Sequence, residues 1–283
     1  MKTVNKHQNN LELKLQSDRL GKTVCEYQYT SFPFRLSPIF RLEGNNSQRA
    51  YLYIMNTSPG LFAGDELNVS WELAANTNLY LTDLSATKVH QMPELNKATI
   101  TNQIVVKENA NLELIPEPII LYRDSTLEQN TNIKIHSTAR LFFTEIILPG
   151  RLARQERYDF NYYFNRLQIR DLNDNLLFID GTKLMGKENS FQDNKIFSSL
   201  PIMGNAIAIL PGEDLHSLMD IIEANELINT HSLETSTTIL PTENGILIRA
   251  MAAKTSSIKQ YFSYILNRIR QLTQQSRVPY IPK

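Results

Sequence analysis

Apolar and polar positions alternate along most of the first 200 residues, and the alternation comes in units. One unit runs over 67–71, turns at Asn76-Thr77-Asn78 and resumes as Leu79-Tyr80-Leu81-Thr82-Asp83. A second runs over 100–106, turns at 108–111 and resumes as Leu112-Glu113-Leu114. A third runs over 133–135, turns at 137–140 and resumes as Leu141-Phe142-Phe143-Thr144-Glu145. Leu79, Leu112 and Leu141 therefore recur at intervals of 33 and 29 residues. A period near 30 signals stacked units, each too small to bury its own apolar face. Period-2 patterning makes the units strands, so the pattern predicts a mainly β chain: a β-helical or stacked multi-layer β architecture.

Strand geometry also places chemistry. Side chains alternate faces, so Leu79, Leu81 and Asp83 share one face, as do Leu141, Phe143 and Glu145. Each acid follows two large apolar residues on the expected inner side. Pro116 holds the equivalent place in the middle unit, with Glu117 one step on. Stacked in order, Asp83 and Glu145 lie two strand spacings apart, roughly 10 Å. Turn amides or basic residues at the coil ends could satisfy both. An acid on an apolar face is costly unless paired or wetted, so its repetition favours a polar interior channel.

Outside the units, residues 1–10 are polar and expected to be disordered, and 11–283 reads as a single domain, β-rich over 11–205 and mixed over 206–283. Leu11, Leu13, Leu15 and Tyr51-Leu52-Tyr53-Ile54 are strand-like, and 162–170 with 176–179 reads as a hairpin around Asn173-Asp174-Asn175. Residues 185–200 look like a mobile loop. A strand pair is expected at 237–240 and 245–251. Two helices are expected near the C-terminus. The first carries Leu215, Leu218, Ile221 and Ile222. The second carries Ile258, Tyr261, Phe262, Ile265, Ile269 and Leu272, capped by Ser256 or Ser257. Their apolar stripes should cover an otherwise open sheet.

Composition narrows the function. The 29 basic and 29 acidic residues cancel, which argues against nucleic acid or an anionic membrane as the main partner. Cys25 is alone and the five histidines are scattered, so neither a disulfide framework nor a closed metal cage is expected. The first 15 residues lack a signal-peptide core and no apolar run is long enough to span a bilayer, so the chain reads as cytoplasmic.

Four stretches carry more information than composition. They are Ser58-Pro59-Gly60-Leu61-Phe62-Ala63-Gly64-Asp65-Glu66-Leu67, Ser85-Ala86-Thr87-Lys88-Val89-His90, Leu112-Glu113-Leu114-Ile115-Pro116-Glu117-Pro118 and Thr144-Glu145-Ile146-Ile147-Leu148-Pro149-Gly150-Arg151. In this order and spacing they resemble the UreD (UreH) family of urease accessory proteins. That family shows a GG-hydrophobic-hydrophobic-GGD-x-L loop, an A-[ST]-K-[VF] motif, an L-E-W-L-P-[QE] strand and an E-x-x-x-L-G-R strand end. The resemblance spans roughly 11–279. The departures are Pro59 and Ala63 for glycines, Leu114 for tryptophan, and Pro149 for the leucine before Gly-Arg; His90 takes a position often aromatic in the family.

The resemblance implies a non-enzymatic urease maturation factor: a scaffold that binds apo-urease and UreF, reaches the GTPase UreG through UreF, and passes Ni²⁺ through an internal tunnel. Scattered carboxylates suit transit, because they bind loosely enough to release. No tightly bound cofactor is expected. By resemblance Asp65 is a channel-mouth acid and Glu145 a tunnel acid, with Asp83 a third candidate on the nickel path. Gly64, Thr87, Lys88 and Arg151 support them. Lys88 reads as a counter-charge to Asp83 or Asp65, Arg151 and Arg154 as neutralisers of Glu145, His90 as a surface or interface residue, and Glu117 as a turn residue. The competing readings are a β-helix carbohydrate-active enzyme, which needs acids on a solvent groove beside aromatic platforms, and a nickel storage protein, which needs His or Cys clusters.

Overall fold

The computed structural model describes residues 9–93, 95–188, 191, 193–224 and 232–283. A hairpin of β1 (Leu11–Ser17) and β2 (Thr23–Thr30) leads to β3 (Phe34–Leu36) and β4 (Ala50–Asn56). The three predicted units follow: β5 (Glu66–Leu73) with β6 (Asn78–Asp83), β8 (Ala98–Val106) with β9 (Asn111–Ile115), and β11 (Thr126–Ile135) with β12 (Arg140–Leu148). Short strands β7 (Thr87–Val89) and β10 (Ile119–Leu121) lie on the connections between units. The hairpin β13 (Tyr162–Asp171) and β14 (Leu176–Leu184) comes next, then helix α1 (Lys195–Ser199), β15 (Ile202–Ile209), α2 (Leu215–Glu223), β16 (Leu233–Ile239), β17 (Gly245–Ala252) and α3 (Thr255–Leu272).

Each unit sends its first strand to one sheet and its second to another. The seven-stranded sheet runs β14-β13-β11-β8-β5-β1-β2, and the larger sheet runs β16-β17-β15-β12-β9-β6-β4-β3. Strands of successive units pair in parallel, as stacked coils require. Leu79 stands opposite Leu112, and Leu112 opposite Leu141, so the anchor leucines form one row. The main core fills the space between the sheets, with Leu79, Leu81, Leu112, Leu114, Leu141 and Phe143 on its large-sheet wall.

A second core lies on the opposite face of the large sheet, where Tyr51, Tyr80, Phe142 and Ile248 meet α2 and α3. Ile258, Tyr261, Phe262, Ile265 and Ile269 of α3 are all buried, so the helix covers the sheet as its stripe predicts. Gly204 on β15 permits the contact: a Cβ there would meet Ile258 Cγ2 at 2.6 Å. The cap expectation fails. The helix starts at Thr255, with Lys254 as its N-cap and no side-chain cap bond. Lys254 leaves β17 in an extended conformation, and this tight strand-to-helix turn starts the helix before either serine.

Two other expectations change. The stretch 185–200, read as loop, contains α1, where the Asn194 side chain accepts from the N–H groups of Ile196 and Phe197. Of the stretch expected to be disordered, residues 1–8 lie outside the described residues. Asn10 is tied down: its N–H donates to Asn68 O at 2.7 Å and its Oδ1 accepts from Asn68 N at 2.9 Å. No described helix is long and apolar enough to cross a membrane.

Candidate functional site

The site begins where one strand stops short. β9 ends at Ile115, while its neighbours β6 and β12 continue to Asp83 and Leu148. Continuing the strand register by one step puts Pro116 between Asp83 and Glu145, so the three residues form a row across the sheet. Proline has no N–H to continue the ladder. The result is a notch between β6 and β12, from which Pro118 and β10 then rebuild pairing with β12 at Ile119 opposite Ile147. A cavity of about 100 Å³ occupies this place, lined among others by Trp71, Asp83, Thr87, Glu117, Gln129 and Glu145. That is room for several waters.

Glu145 points into the space between the sheets, 7% exposed, beside core residues Leu141 and Phe143. Two amides from the opposite sheet hold its carboxyl: Gln129 Nε2 donates to Oε1 at 2.5 Å, and Asn165 Nδ2 to Oε2 at 2.7 Å. Gln129 and Asn165 are register partners, in a row that reads Leu67, Ile100, Gln129, Asn165 across β5, β8, β11 and β13. The row turns polar where it faces Glu145. Burial pushes the Glu145 carboxyl up to about 7, helped by the charge of Asp180 and only partly offset by the amides of Asn165 and Gln129.

Asp83 sits at the other side of the notch. Its Oδ2 accepts the backbone N–H of Glu117 at 3.1 Å. Burial raises its carboxyl to about 7, against the lowering effect of that N–H and of Lys283. Trp71 Nε1, Asn165 Oδ1 and Tyr163 Oη are buried without a hydrogen-bond partner among the described residues. Trp71 lines the cavity and Asn165 binds Glu145, so the region offers unsaturated donors and acceptors as well as carboxylates.

The other candidates take different places. Asp65 is not among the residues lining this cavity. Its Oδ2 accepts the N–H of Phe62 at 2.8 Å, and its backbone oxygen accepts from Thr99, so it closes its own loop. Gly64, at φ +83°, supplies the left-handed turn that this loop needs. Thr87 lines the cavity, and its N–H donates to Pro118 O at 2.9 Å. Lys88 is exposed and forms no ion pair with Asp83 or Asp65 among the described residues; the cation acting on Asp83 is Lys283. Arg151 does not reach Glu145. It makes two hydrogen bonds to Glu156, at 2.9 and 2.6 Å, and lies over the Tyr122 ring at 4.4 Å, while Arg154 is exposed. Glu145 thus has amide partners and no cation among the described residues.

Two residues do more than the sequence indicated. Glu117, read as a turn residue, lines the cavity and pairs with Lys259 at 2.5 Å and with Lys283. His90 stacks on Phe62 with ring centroids 4.5 Å apart and meets Tyr122 edge-on, which fixes the loop over 58–65 against the strand after Ala86. Gly60 is obligatory in that packing, since a Cβ would meet Lys88 O at 2.5 Å. Among the described residues, no three His, Cys, Asp or Glu side chains gather closely enough to hold a metal ion.

Comparison with known proteins agrees with the motif reading. A family profile described as "UreD urease accessory protein" matches residues 7–283. The chain is 46% identical over 276 residues to a urease accessory protein UreD of Trichodesmium erythraeum (strain IMS101), covering 97% of this chain and 99% of the relative. It is 28% identical over 219 residues to a urease accessory protein UreH of Helicobacter pylori (strain G27), covering 77% and 81%. A UreD of Lachnoclostridium phytofermentans is 27% identical over 263 residues, 92% of either chain.

Proposed function

This chain belongs to the UreD family of urease accessory proteins, and from that premise we propose that it serves urease maturation as a scaffold that conducts Ni²⁺ through the cavity at the notch between β6 and β12. On this reading it binds apo-urease and the UreF–UreG complex, UreG through UreF, and hands the ion on without catalysing a reaction itself. The observation that carries the reading is the pair of carboxyls, Asp83 and Glu145, in one cavity and in one register row.

The chemistry follows from how the two acids are held. A carboxyl raised mainly by burial, as both are, keeps its proton toward neutral pH and gives it up when a divalent ion arrives. The amides of Gln129 and Asn165 fix the Glu145 oxygens without competing for the ion as a guanidinium would. Roughly 10 Å separates acids two strands apart, so the ion meets one carboxylate at a time. Such contacts let it go, where a cage would trap it.

The test uses cells that express urease at limiting nickel. Glu145→Leu and Asp83→Asn should each lower the nickel content of urease severalfold. Pull-down of UreF and apo-urease should remain intact, because partner affinity rests on apolar anchors elsewhere. Full nickel loading in both variants, or loss of the complexes in place of loss of the metal, overturns the conduit.

A further inference from the structure

The cavity does not end between the sheets. Tyr80 faces α3 and Leu81 faces the main core, so by alternation Thr82 lies on the helix side of the sheet while Asp83 faces inward. Thr82, Asp83 and Glu117 all line the cavity, which therefore reaches through the notch toward α3. There the chain's own tail comes back to meet it. The Nζ of Lys283 donates to Thr82 Oγ1 at 3.0 Å and pairs with Glu117 Oε1, and its charge acts on Asp83.

We infer that Lys283 is a tethered cation that occupies the oxygen-lined mouth of the cavity and must leave before a divalent ion can use it. The inference rests on the conduit reading above. The oxygens it meets, the Thr82 hydroxyl and one Glu117 carboxylate oxygen, together with the Asp83 carboxyl that its charge acts on, are of the kind that a hard or borderline divalent ion prefers. The second Glu117 oxygen is already engaged by Lys259 of α3, so the oxygen held by Lys283 is the one a metal would have to win. An ammonium on a flexible stem is a compact point charge that fills such a position without a fixed geometry.

Few bonds hold the segment that carries Lys283. Its last firm anchor is the N–H of Val278, which donates to Asn267 Oδ1 at 2.9 Å. Val278 and Ile281 pack against the helix-side core, while Tyr280 between them is 86% exposed. No described hydrogen bond involves the backbone beyond Val278. Side chains alone hold Lys283 in place, and an ion pair of this partly exposed kind is weak.

The experiment titrates the purified full-length chain with NiCl₂ alone, comparing wild type with Lys283→Met, Lys283→Arg, Asp83→Asn and the double variant Lys283→Met/Asp83→Asn. Lys283→Met keeps the apolar stem and removes the competitor, so Ni²⁺ should bind roughly three- to tenfold tighter. Lys283→Arg should stay within about twofold of wild type, since it keeps the charge. The gain should vanish in the double variant. If Lys283→Met leaves affinity unchanged while Asp83→Asn weakens it, the tethered cation is wrong and the conduit stands. If neither variant alters Ni²⁺ binding, both fall. A gain that survives in the double variant places the metal elsewhere and also overturns the inference.

Discussion

Glu113 and Glu145 sit on adjacent strands of one sheet, 2% and 7% exposed, and are held in opposite ways. Glu113 faces the helices, between the outward-facing Tyr80 and Phe142 of the neighbouring strands. Arg270 of α3 grips both its oxygens, the Nε contact measuring 2.8 Å, and Arg49 Nη1 lies 3.2 Å away. Glu43 and Tyr51 complete a network of two guanidiniums and two carboxylates. Glu145 faces the other way and meets two amides. Burial is nearly equal at the two acids. Compensation is not, and compensation decides what each carboxyl can do.

A carboxylate fixed by two cations is bound into the fold. Its charge is already spent, and a metal would have to displace Arg270, which is wholly buried. Glu43 shows the same logic on the acid–base side. Burial alone would raise its carboxyl, but hydrogen bonds from Tyr51 and Ser276 and the charges of Arg49 and Arg270 hold it below the ordinary value. Glu145 has nothing comparable, and its carboxyl rises. One side of the sheet uses acids to seat a helix, and the other keeps an acid available.

The sharpest way to break this contrast is to remove a cation from the helix side. Arg270→Met leaves Glu113 with Arg49 alone and strips Glu43 of a partner, so it should cost about 3–5 kcal/mol, the usual penalty for orphaning a buried charge. Urea unfolding of the variant measures it. A loss below about 1 kcal/mol would show that the network does not seat α3. Glu145→Gln should cost much less, about 1 kcal/mol or under. The new amide needs an acceptor, and rotating the Asn165 amide presents the Oδ1 that now lacks a partner.

Protonation separates the two faces more finely. The unfolded chain releases the Glu145 proton near 4.5, whereas the folded chain holds it to about 7. Between those values the native state binds more protons, so this group's contribution is present at low pH and is lost as pH rises, by up to about 1.4 kcal/mol per pH unit, levelling above 7. Asp83 adds a slope of the same sign. Glu43 runs the other way: its folded value is lowered, so its contribution is present above the ordinary value and fades as pH falls. Denaturation of wild type and Glu145→Gln from pH 5 to 8 isolates the first term. The variant should gain on wild type as pH rises, and parallel curves would mean that Glu145 is ionised throughout.

The sequence carried the coil repeat, the inward phase of Asp83 and Glu145, and Pro116 in the row between them, because these follow from period-2 alternation within short segments. The α3 stripe was legible for the same reason at period 3.6. The partners of the acids were not, because each lies on a different element. Gln129 and Asn165 come from the opposite sheet, and Arg270 reaches Glu113 across 157 residues. Two basic residues close in sequence, Arg151 and Lys88, misled: Arg151 is taken by Glu156, and Lys88 stays exposed. One local signal did exist. Glu113 between Leu112 and Leu114 is out of phase with the core-facing row, and a strand buried on both faces needs a cation for such an acid.

The smallest expected effect concerns Asp65, where loop closure and the proposed nickel path make different demands. Its Oδ2 accepts the Phe62 N–H in a partly exposed turn, so Asp65→Ala should cost about 0.5–1.5 kcal/mol for the lost bond. Asp65→Asn keeps an acceptor at the same place and should stay within about 0.5 kcal/mol of wild type. The loop it closes carries Gly60 and Phe62, which pack on His90 beside Thr87 of the cavity wall. A purely loop-closing Asp65 should therefore impair urease nickel loading only as alanine, with full rescue by asparagine. An ion contact would be lost in both variants, because an amide oxygen carries no charge to draw the metal. Nickel content and unfolding midpoint, measured on both, decide between them: a stable Asp65→Asn protein that fails to load urease would add Asp65 to the proposed path of Asp83 and Glu145.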